Sequence, residues 1–416
     1  MILLRILKES VFFALHSLLT NKLRTLLSLL GVTIGIFAII AVLTAVDSLE
    51  TNVRGELSEL GDDVVYVQKW PWGGGGNTPW WKYMNRPNAT YKDFQKLTKT
   101  FSKADAIAMA VYPKGQTIKY SNNSVSDVQV VSVSNTFQDF GSLDLSMGRF
   151  FSTTESNNGN GVAVLGSEIA KGLFEQIDPI GKYINVFGRK LRVIGVFVKE
   201  GTSVIGSSKD QEIYVPLGFL RRLYNLNEGR LESYIMVRPQ KDMGMAQLKD
   251  ELTGRMRSIR RLRPREDDNF ALNELSVLSG NLDEFFGILN LAGILIGGFS
   301  ILVGGFGIAN IMFVSVRERT NIIGIQKALG AKNYFILSQF LVESIVLALL
   351  GGGLGLALVY GLTFLASDLA GMDIFLGARN IFVGLGISAS IGLLAGMIPA
   401  WMGAKMNPVD AIRTGV

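Results

Sequence analysis

The residue types that usually carry enzymatic chemistry are scarce in this sequence, which contains one histidine, His16, and no cysteine. A histidine triad and a zinc site of histidine and cysteine ligands therefore have no residues to build them. Aspartate and glutamate are scattered over residues 47–284 without a paired arrangement. The phosphate-binding pattern Gly-x-x-x-x-Gly-Lys-Ser/Thr does not occur, and the glycine run 73–76 lacks the lysine. We therefore predict no catalytic, cofactor-binding or metal-binding residue here.

The remaining candidate is a short charged segment, residues 317–332, that lies between two long apolar runs. Within it Ile322, Ile325 and Leu329 recur at helical spacing. Gly330 follows the last of them, a common place for a helix to end. Two interpretations fit this pattern. It is typical of a topogenic loop whose charges hold the flanking helices in place, and equally of a helix that docks into a groove of a soluble partner.

Charge and hydropathy indicate how this segment is positioned. Residues 47–284 carry 30 Lys and Arg against 29 Asp and Glu, whereas the rest of the chain carries 11 against 6. Positive charge beside apolar runs marks the cytoplasmic side of a membrane protein, so we predict no nucleic-acid partner. A hydrophobic content of 48% and a mean hydropathy of +0.30 fit membrane helices combined with a large water-facing domain.

Four apolar segments are long enough to cross the hydrocarbon core, which takes about 20 residues. The second is uncharged over 32 residues, so we expect it to project from the membrane as a stalk. Residues 1–24 alternate apolar and basic positions and are predicted to form an amphipathic helix on the cytoplasmic membrane surface. We predict transmembrane helices at 25–46, 285–316, 334–367 and 380–401, a cytoplasmic loop at 317–333, a short outer loop at 368–379 and a cytoplasmic tail at 402–416.

Residues 47–284 are predicted to form an extracytoplasmic α+β domain between the first two membrane helices. Strand-like runs are 64–67, 106–111, 128–133, 162–165, 190–198 and 234–237, and helical runs are 91–101, 168–174, 217–224 and 243–259. The six arginines of 255–265 are interpreted as a solvated helix face. The tryptophan- and glycine-rich segment 70–81 is interpreted as an exposed loop, with a partner-docking or membrane-touching tip as the alternative.

Two features inside the membrane runs are candidates for structural roles. Each run carries a Gly-x-x-x-Gly pair, a spacing that lets helices approach closely. The pairs are Gly31 and Gly35, Gly293 and Gly297, Gly351 and Gly355, and Gly392 and Gly396. Glu343 is the one charged residue well inside a run, and such groups are costly unless they are paired or near the interface. A single carboxylate is too little for an ion-coupled relay.

Longer motifs in these segments identify a family. Arg317-Glu-Arg319, Ile323-Gly-Ile325 and Lys327-Ala-Leu-Gly-Ala331 closely resemble the cytoplasmic loop of MacB/FtsX-like ABC transporter permeases. Asn407-Pro-Val-Asp-Ala-Ile-Arg413 resembles the C-terminal signature of that family. Shorter stretches such as Val162-Ala-Val-Leu-Gly166 are similar to the MacB-type periplasmic core domain.

The resemblance implies a function. In this family the loop is a coupling helix that contacts the ATPase subunit. The resemblance assigns that contact with the ATPase to Arg317, Glu318, Arg319, Ile322, Ile323, Gly324, Ile325, Lys327, Ala328, Leu329, Gly330 and Ala331. ATP and Mg are then expected on separate ATPase subunits and not on this chain, which departs from MacB proper in having no P-loop. A second permease subunit, identical or different, is implied, and in some members a periplasmic adaptor and an outer-membrane channel.

These implications predict a permease subunit of the inner membrane, with both termini cytoplasmic, that serves efflux or export of antimicrobials, peptides or similar cargo. One alternative within the family is a complex that releases lipoproteins or regulates cell-wall hydrolases. An alternative of another class is a membrane sensor with an extracytoplasmic ligand domain. A sensor should carry a cytoplasmic signalling domain, and only short segments are predicted to face inward, which disfavours it.

Overall fold

Two units of different composition make up the fold, one formed by Asn52–Glu284 and the other by the residues before and after it. The structure is a computed structural model that describes residues 22–58, 61, 63–73, 80–141, 143–201, 208–370 and 374–413. The predicted amphipathic helix at 1–24 lies outside the described residues except for its last three, which begin the first helix. The centre of the tryptophan-rich segment, 74–79, also lies outside them.

Helices and strands follow one another along the described residues. The helices are α1 Lys22–Ser58, α2 Trp80–Met84, α3 Tyr91–Thr100, α4 Thr153–Asn158, α5 Ser167–Phe174, α6 Leu217–Arg221, α7 Met245–Arg260, α8 Leu275–Glu318, α9 Thr320–Ala328, α10 Asn333–Ala370, α11 Ala378–Lys405 and α12 Pro408–Arg413. The strands are β1 Val65–Gln68, β2 Ala104–Tyr112, β3 Gln116–Tyr120, β4 Asn123–Val133, β5 Leu145–Gly148, β6 Val162–Leu165, β7 Tyr183–Val186, β8 Arg189–Phe197, β9 Glu212–Pro216, β10 Glu232–Pro239 and β11 Ala271–Glu274.

The strands of the extracytoplasmic unit form one sheet in the order β11-β1-β10-β2-β4-β3-β7-β8-β6-β9, with β5 on β8. β4 also pairs in parallel with β9, so the six strands from β4 to β9 along this order close on themselves. The antiparallel extension β11-β1-β10-β2 joins this closed part where Ala110 pairs with Val133 and Val111 with Ser132. The unit is therefore an α+β domain, as predicted.

Two hydrophobic cores explain why these segments fold as they do. In the extension, Leu248, Leu252 and Met256 recur along one face of α7 and pack with Leu97 of α3 against the sheet. In the closed part, the fully buried Leu173 of α5 packs against the inward-facing side chains of the strands around it. The residues that helical and strand periodicity predict to face inward are thus the residues that form these cores.

In the membrane unit, four of the described helices are long and apolar enough to cross a membrane: Leu29–Ser58, Leu275–Glu318, Asn333–Ser367 and Ala378–Lys405. Their shared core contains Val32, Ile36 and Ile40 of α1, Met312 of α8 and Phe340 of α10. α8 begins directly after β11 and continues without a break to the charged segment.

Several elements extend beyond their predicted bounds. α8 begins at Leu275, ten residues before the predicted start. The prediction was based on the apolar run alone, and residues 275–284 are too polar to be part of that run. α1 likewise continues past the apolar run to Ser58. The sequence analysis predicted no strand at β3, β5, β7, β9 or β11, all of which have five residues or fewer and are too short to show a clear pattern.

Candidate functional site

The charged segment is positioned by a near-continuous run of helix. α8 ends at Glu318 and α9 begins at Thr320, with Arg319 between them. The Arg319 amide donates to the Ser315 carbonyl at 3.1 Å, and the Ile323 amide donates to the Arg319 carbonyl at 3.0 Å. Hydrogen bonding therefore continues across the junction, and α9 cannot rotate freely with respect to the end of α8.

The C-terminus of α9 is closed by a glycine turn. Gly330 has a φ of +98°, in the region that favours glycine. Its amide donates to the Lys327 carbonyl, and the Ala331 amide donates to the Gln326 carbonyl, both at 3.0 Å. This pair of bonds defines a Schellman motif, so the residue type at 330 fixes where the helix ends.

One face of α9 packs on the C-terminal helix. Ile323 is buried. A Cβ at Gly324 would lie 3.0 Å from the Ala411 side chain and 3.2 Å from the Ile412 amide nitrogen, so α9 and α12 approach closely only because this residue is glycine. The two family motifs, one within 317–331 and the other at 407–413, therefore meet in space.

Lys327 attaches the same helix to the end of α11. Its ammonium donates to the Ala404 carbonyl at 2.7 Å and to the Met406 carbonyl at 2.6 Å. Carbonyls in the last turn of a helix have no partner within the helix and carry partial negative charge, so a lysine is well matched to them. Lys327 is thus a positioning residue and not part of an exposed charged surface.

Arg319 connects the segment to α10 through Glu343. The Arg319 guanidinium donates to Glu343 Oε2 at 3.2 Å. Glu343 is 1% exposed and is the one buried charged side chain among the described residues of this unit. Its partner, left open by the sequence, is therefore Arg319 of the charged segment, and the pair ties α10 to the junction of α8 and α9.

The opposite face of α9 is apolar and open. Ile322, Ile325 and Leu329 are 54%, 48% and 84% exposed. We call these three side chains the docking face. Arg317, Glu318, Ala328 and Gly330 at its edges are also exposed. An apolar stripe on a helix whose other face is fixed by α10, α11 and α12 is the arrangement of a helix that inserts into a groove of a partner.

The Gly-x-x-x-Gly pairs differ in what they contact. A Cβ at Gly392 would lie 2.8 Å from both the Ile345 Cα and the Ser344 carbonyl oxygen. The other close approaches are Gly35 to Ser300, Gly293 to Val42, Gly297 to Ile39, Gly351 to Val32, Gly355 to Thr33 and Phe37, and Gly396 to Ser344. Gly31 is different, since a Cβ there would meet no described atom within 4 Å outside its own turn.

Sequence reasoning missed the serines in these contacts. Ser388 Oγ donates to the Gly384 carbonyl of its own helix at 2.6 Å, and a Cβ at Gly352 would lie 2.1 Å from that oxygen. Ser344 similarly donates to its own helix at Leu341 and faces Gly396. The signal was available, because small residues recur every four positions from Gly384 through Ser388 and Gly392.

In the extracytoplasmic domain, the interpretation of 255–265 as a solvated face is wrong for Arg260. Its side chain is 7% exposed and pairs with Asp93, 8% exposed, at 3.0 Å. Arg257 pairs with Asp268. These arginines hold α7 to α3 and to the segment after α7. Trp80 and Trp81, by contrast, are exposed on α2.

Shifted pKa values in this domain have a structural cause. Burial raises the pKa of Tyr66, Tyr112 and Tyr214 above the usual range and that of Tyr234 to about 12. The Tyr112 and Tyr234 hydroxyl oxygens lie 2.8 Å apart. Neutral, mutually bonded phenols stabilise a core and supply no base or nucleophile. No group of three potential metal ligands occurs among the described residues.

Fold and site together define a class: a multi-pass membrane protein with four apolar helices among its described residues, an α+β domain after the first of them and a short helix with an exposed apolar face between the second and third. Residues 25–255 match the MacB-like periplasmic core domain, and residues 294–408 match the FtsX-like permease C-terminal domain. The chain belongs to the MacB/FtsX-like family of ABC transporter permeases. In general terms, this membership implies ATPase partners, dimerisation and a place in the inner membrane.

Relatives over the whole length support this assignment. The chain is 30% identical to the macrolide export ATP-binding/permease protein MacB of Bdellovibrio bacteriovorus, covering 97% of this chain and 61% of that protein. It is 29% identical to the ABC transporter permease YknZ of Bacillus subtilis, covering 97% and 98%. The chain thus spans about three fifths of the MacB relatives and nearly all of YknZ.

Solved structures of extracytoplasmic regions are similar at a lower level. The periplasmic region of MacB from Actinobacillus actinomycetemcomitans aligns at 18% identity and a TM-score of 0.44, over 56% of this chain and 97% of that structure. The extracellular domain of YknZ aligns at 18% identity and a TM-score of 0.38, over 50% and 98%.

Proposed function

We propose that this chain transmits the ATP-driven motion of separate nucleotide-binding subunits to its extracytoplasmic domain. The observation that carries the proposal is the docking face of Ile322, Ile325 and Leu329, apolar and exposed on a helix whose other face is fixed. Three exposed apolar side chains beside water are costly to leave uncovered, and a groove on an ATPase subunit would cover them.

The contacts of α9 suggest how motion would be transmitted. Closure of the nucleotide-binding subunits around ATP displaces α9. Because Arg319 ties α9 to α10 and Lys327 ties it to α11, the displacement is shared by these helices as a rigid-body movement and not absorbed by the loop. α8, continuous from the junction to Leu275, then conveys it to the extracytoplasmic domain. In this proposal both termini and residues 317–332 are cytoplasmic.

For the cargo we propose efflux of an antimicrobial, peptide or similar compound. The support is that the MacB relatives are named as macrolide export proteins. A homo- or heterodimer of permease subunits with a periplasmic adaptor and an outer-membrane channel would complete such a pathway. ATP and Mg would bind to the ATPase subunits alone.

Affinity purification from mild detergent tests the central step. The wild-type chain should recover a P-loop ATPase, and the double variant Ile325→Asp with Leu329→Asp should lose it, because two carboxylates would have to be desolvated in an apolar groove. Ile177→Asp is the control, since Ile177 is 55% exposed, close to the 48% of Ile325, but lies in the extracytoplasmic domain. Equal recovery of the ATPase by all three proteins would overturn the proposal.

Two further results would refine it. The chain has no cysteine, so single cysteines at Lys332→Cys and Lys119→Cys can be labelled without background. Labelling from the outside should reach position 119 and not 332, and labelling of both from one side would contradict transmission across the membrane. Recovery of an adaptor would support export, whereas recovery of a lipoprotein would support lipoprotein release.

A further inference from the structure

The C-terminal helix α12 buries its smallest apolar side chain and exposes two larger ones. Ala411 is 3% exposed and packs on α9, whereas Val409 and Ile412 are 70% and 42% exposed. A helix on a protein surface normally turns its larger apolar residues towards the core. α12 has six residues, too few to be stable without contacts. Packing on α9 holds α12 in place, but it does not account for the two exposed apolar side chains.

These side chains continue the docking face of α9. Ile412 Cγ1 lies 3.0 Å from the position that a Cβ would take at Gly324, so this side chain lies across the seam between the two helices. Ala328, one turn beyond Gly324 on the same side of α9, is exposed. Lys327, the one charged residue of α9, is bonded to the end of α11 and does not interrupt this surface. The apolar surface therefore runs from the docking face over Ala328 to α12.

α12 begins past the point at which α11 leaves the membrane. Trp401 is 52% exposed, and the Lys405 ammonium lies 4.1 Å from the centroid of its ring. Tryptophan and lysine side chains collect at the level of the lipid head groups, so this pair marks the interface. α12 begins at Pro408, three residues after α11 ends, and Asp410 on it is exposed. The apolar side chains of α12 are therefore on the water side of this level, where such a patch favours a protein partner.

We propose that Val409 and Ile412, which we call the second face, bind the same ATPase subunit as the docking face. The inference rests on the proposed function, because continuity with the docking face assigns the partner. The ATPase subunit then meets two helices packed side by side, in a groove wide enough for both. Because α12 packs on α9 at Gly324 and Lys327 ties α9 to the end of α11, a displacement of either short helix is shared by both and reaches α11.

Thiol protection tests this contact with little change to α12. Val409→Cys places a single cysteine of similar size in a chain that has no other. The variant is inserted into lipid nanodiscs, and its labelling rate with a water-soluble maleimide is measured with and without the purified ATPase subunit that co-purifies with the wild-type chain. We expect the bound subunit to slow the labelling at least tenfold. Val198→Cys, at a valine of the extracytoplasmic domain that is 43% exposed, is the control and should label at one rate in both states. Equal labelling of Val409→Cys in both states would overturn the proposal.

The same variant detects the two competing occupants of the second face. If the bilayer covers this face, Val409→Cys will be labelled in detergent but not in nanodiscs that lack the ATPase subunit. If a second copy of the chain covers it, the thiols of two chains will form a disulfide in the absence of the ATPase subunit. Either result would contradict the assignment to the ATPase.

Titration with the purified ATPase subunit separates this inference from the proposed function. Val409→Asp should weaken binding at least tenfold, because the burial of one valine is lost and a carboxylate must be desolvated. Val198→Asp is the control and should bind as the wild type does. If Val409→Asp binds normally while Ile325→Asp with Leu329→Asp does not, the second face is excluded and the proposed function stands. If the wild-type chain binds no ATPase subunit, the proposed function fails, and the second face fails with it.

Discussion

Arg319 and Glu343 form an ion pair with an N–O distance of 3.2 Å, and the carboxylate is almost fully buried. Removing one partner leaves the other charge without compensation in a poorly solvated site. We therefore expect Arg319→Met to lower the free energy of unfolding by about 3–5 kcal/mol. The measurement is thermal unfolding of the chain in detergent.

The control for this prediction is the double variant Arg319→Met with Glu343→Leu. Apolar replacements of both partners of a buried pair are often close to neutral, so the double variant should be more stable than Arg319→Met alone. Additive losses in the two single variants and the double variant would show that the pair is not coupled.

Lys327 is expected to matter more for α12 than for partner binding. Lys327→Met removes the two bonds to the Ala404 and Met406 carbonyls, each worth about 1.5–3 kcal/mol for a charged donor. Amide hydrogen exchange over residues 405–413 should therefore speed up at least tenfold. Lys332→Met, at an exposed position just past α9, is the control and should leave the exchange unchanged.

The glycines allow a direct test of helix packing. A methyl group at Gly392 would press on the α10 backbone at 2.8 Å, so Gly392→Ala should cost about 1–3 kcal/mol of unfolding free energy. Gly31→Ala makes the same chemical change where a Cβ meets no described atom outside its own turn, and it should cost nothing. Equal melting temperatures for the two variants would contradict the close approach of α10 and α11.

The lowered pKa of Glu155 predicts that the stability of the extracytoplasmic domain depends on pH. The hydrogen bonds donated by Arg149, with further bonds from Ser152, hold the pKa of Glu155 at about 2, below its ordinary value of 4.5. Since the folded pKa is the lower one, the stabilisation is complete above about pH 4.5 and is lost as the pH falls towards 2. The difference in melting temperature between wild type and Glu155→Gln should shrink over that range. If this difference in melting temperature stays constant over that pH range, the ionised Glu155 carboxylate does not stabilise the domain.

The sequence predicted the fold class well for physical reasons. Long apolar runs have few structural solutions, so the four helices were recognisable by length and charge alone. The helical spacing of Ile322, Ile325 and Leu329 likewise marked one face of α9 before its partners were known. Periodicity did not predict which face of α9 would be exposed, because that depends on contacts of α9 with residues about 80 positions later in the chain.

The features that the sequence did not reveal share one cause, which is that they depend on contacts between residues remote along the chain. Arg260 and Lys327 look like surface charges in the sequence, since their partners, Asp93 and two backbone carbonyls, are remote along the chain. Short strands such as β11 become recognisable only beside their neighbours, since four residues carry too little alternation to signal themselves.

The pairing of β1 has a consequence for biosynthesis. β1 ends at Gln68, yet its two neighbours in the sheet, β10 and β11, begin at Glu232 and Ala271. β1 therefore has no strand partner until roughly 160 further residues have been synthesised and translocated. Pairing between strands so far apart in the chain is slow and exposed to misassociation. α8 follows β11 without a linker. Completion of the sheet is thus timed to the moment at which the second membrane helix reaches the translocation machinery.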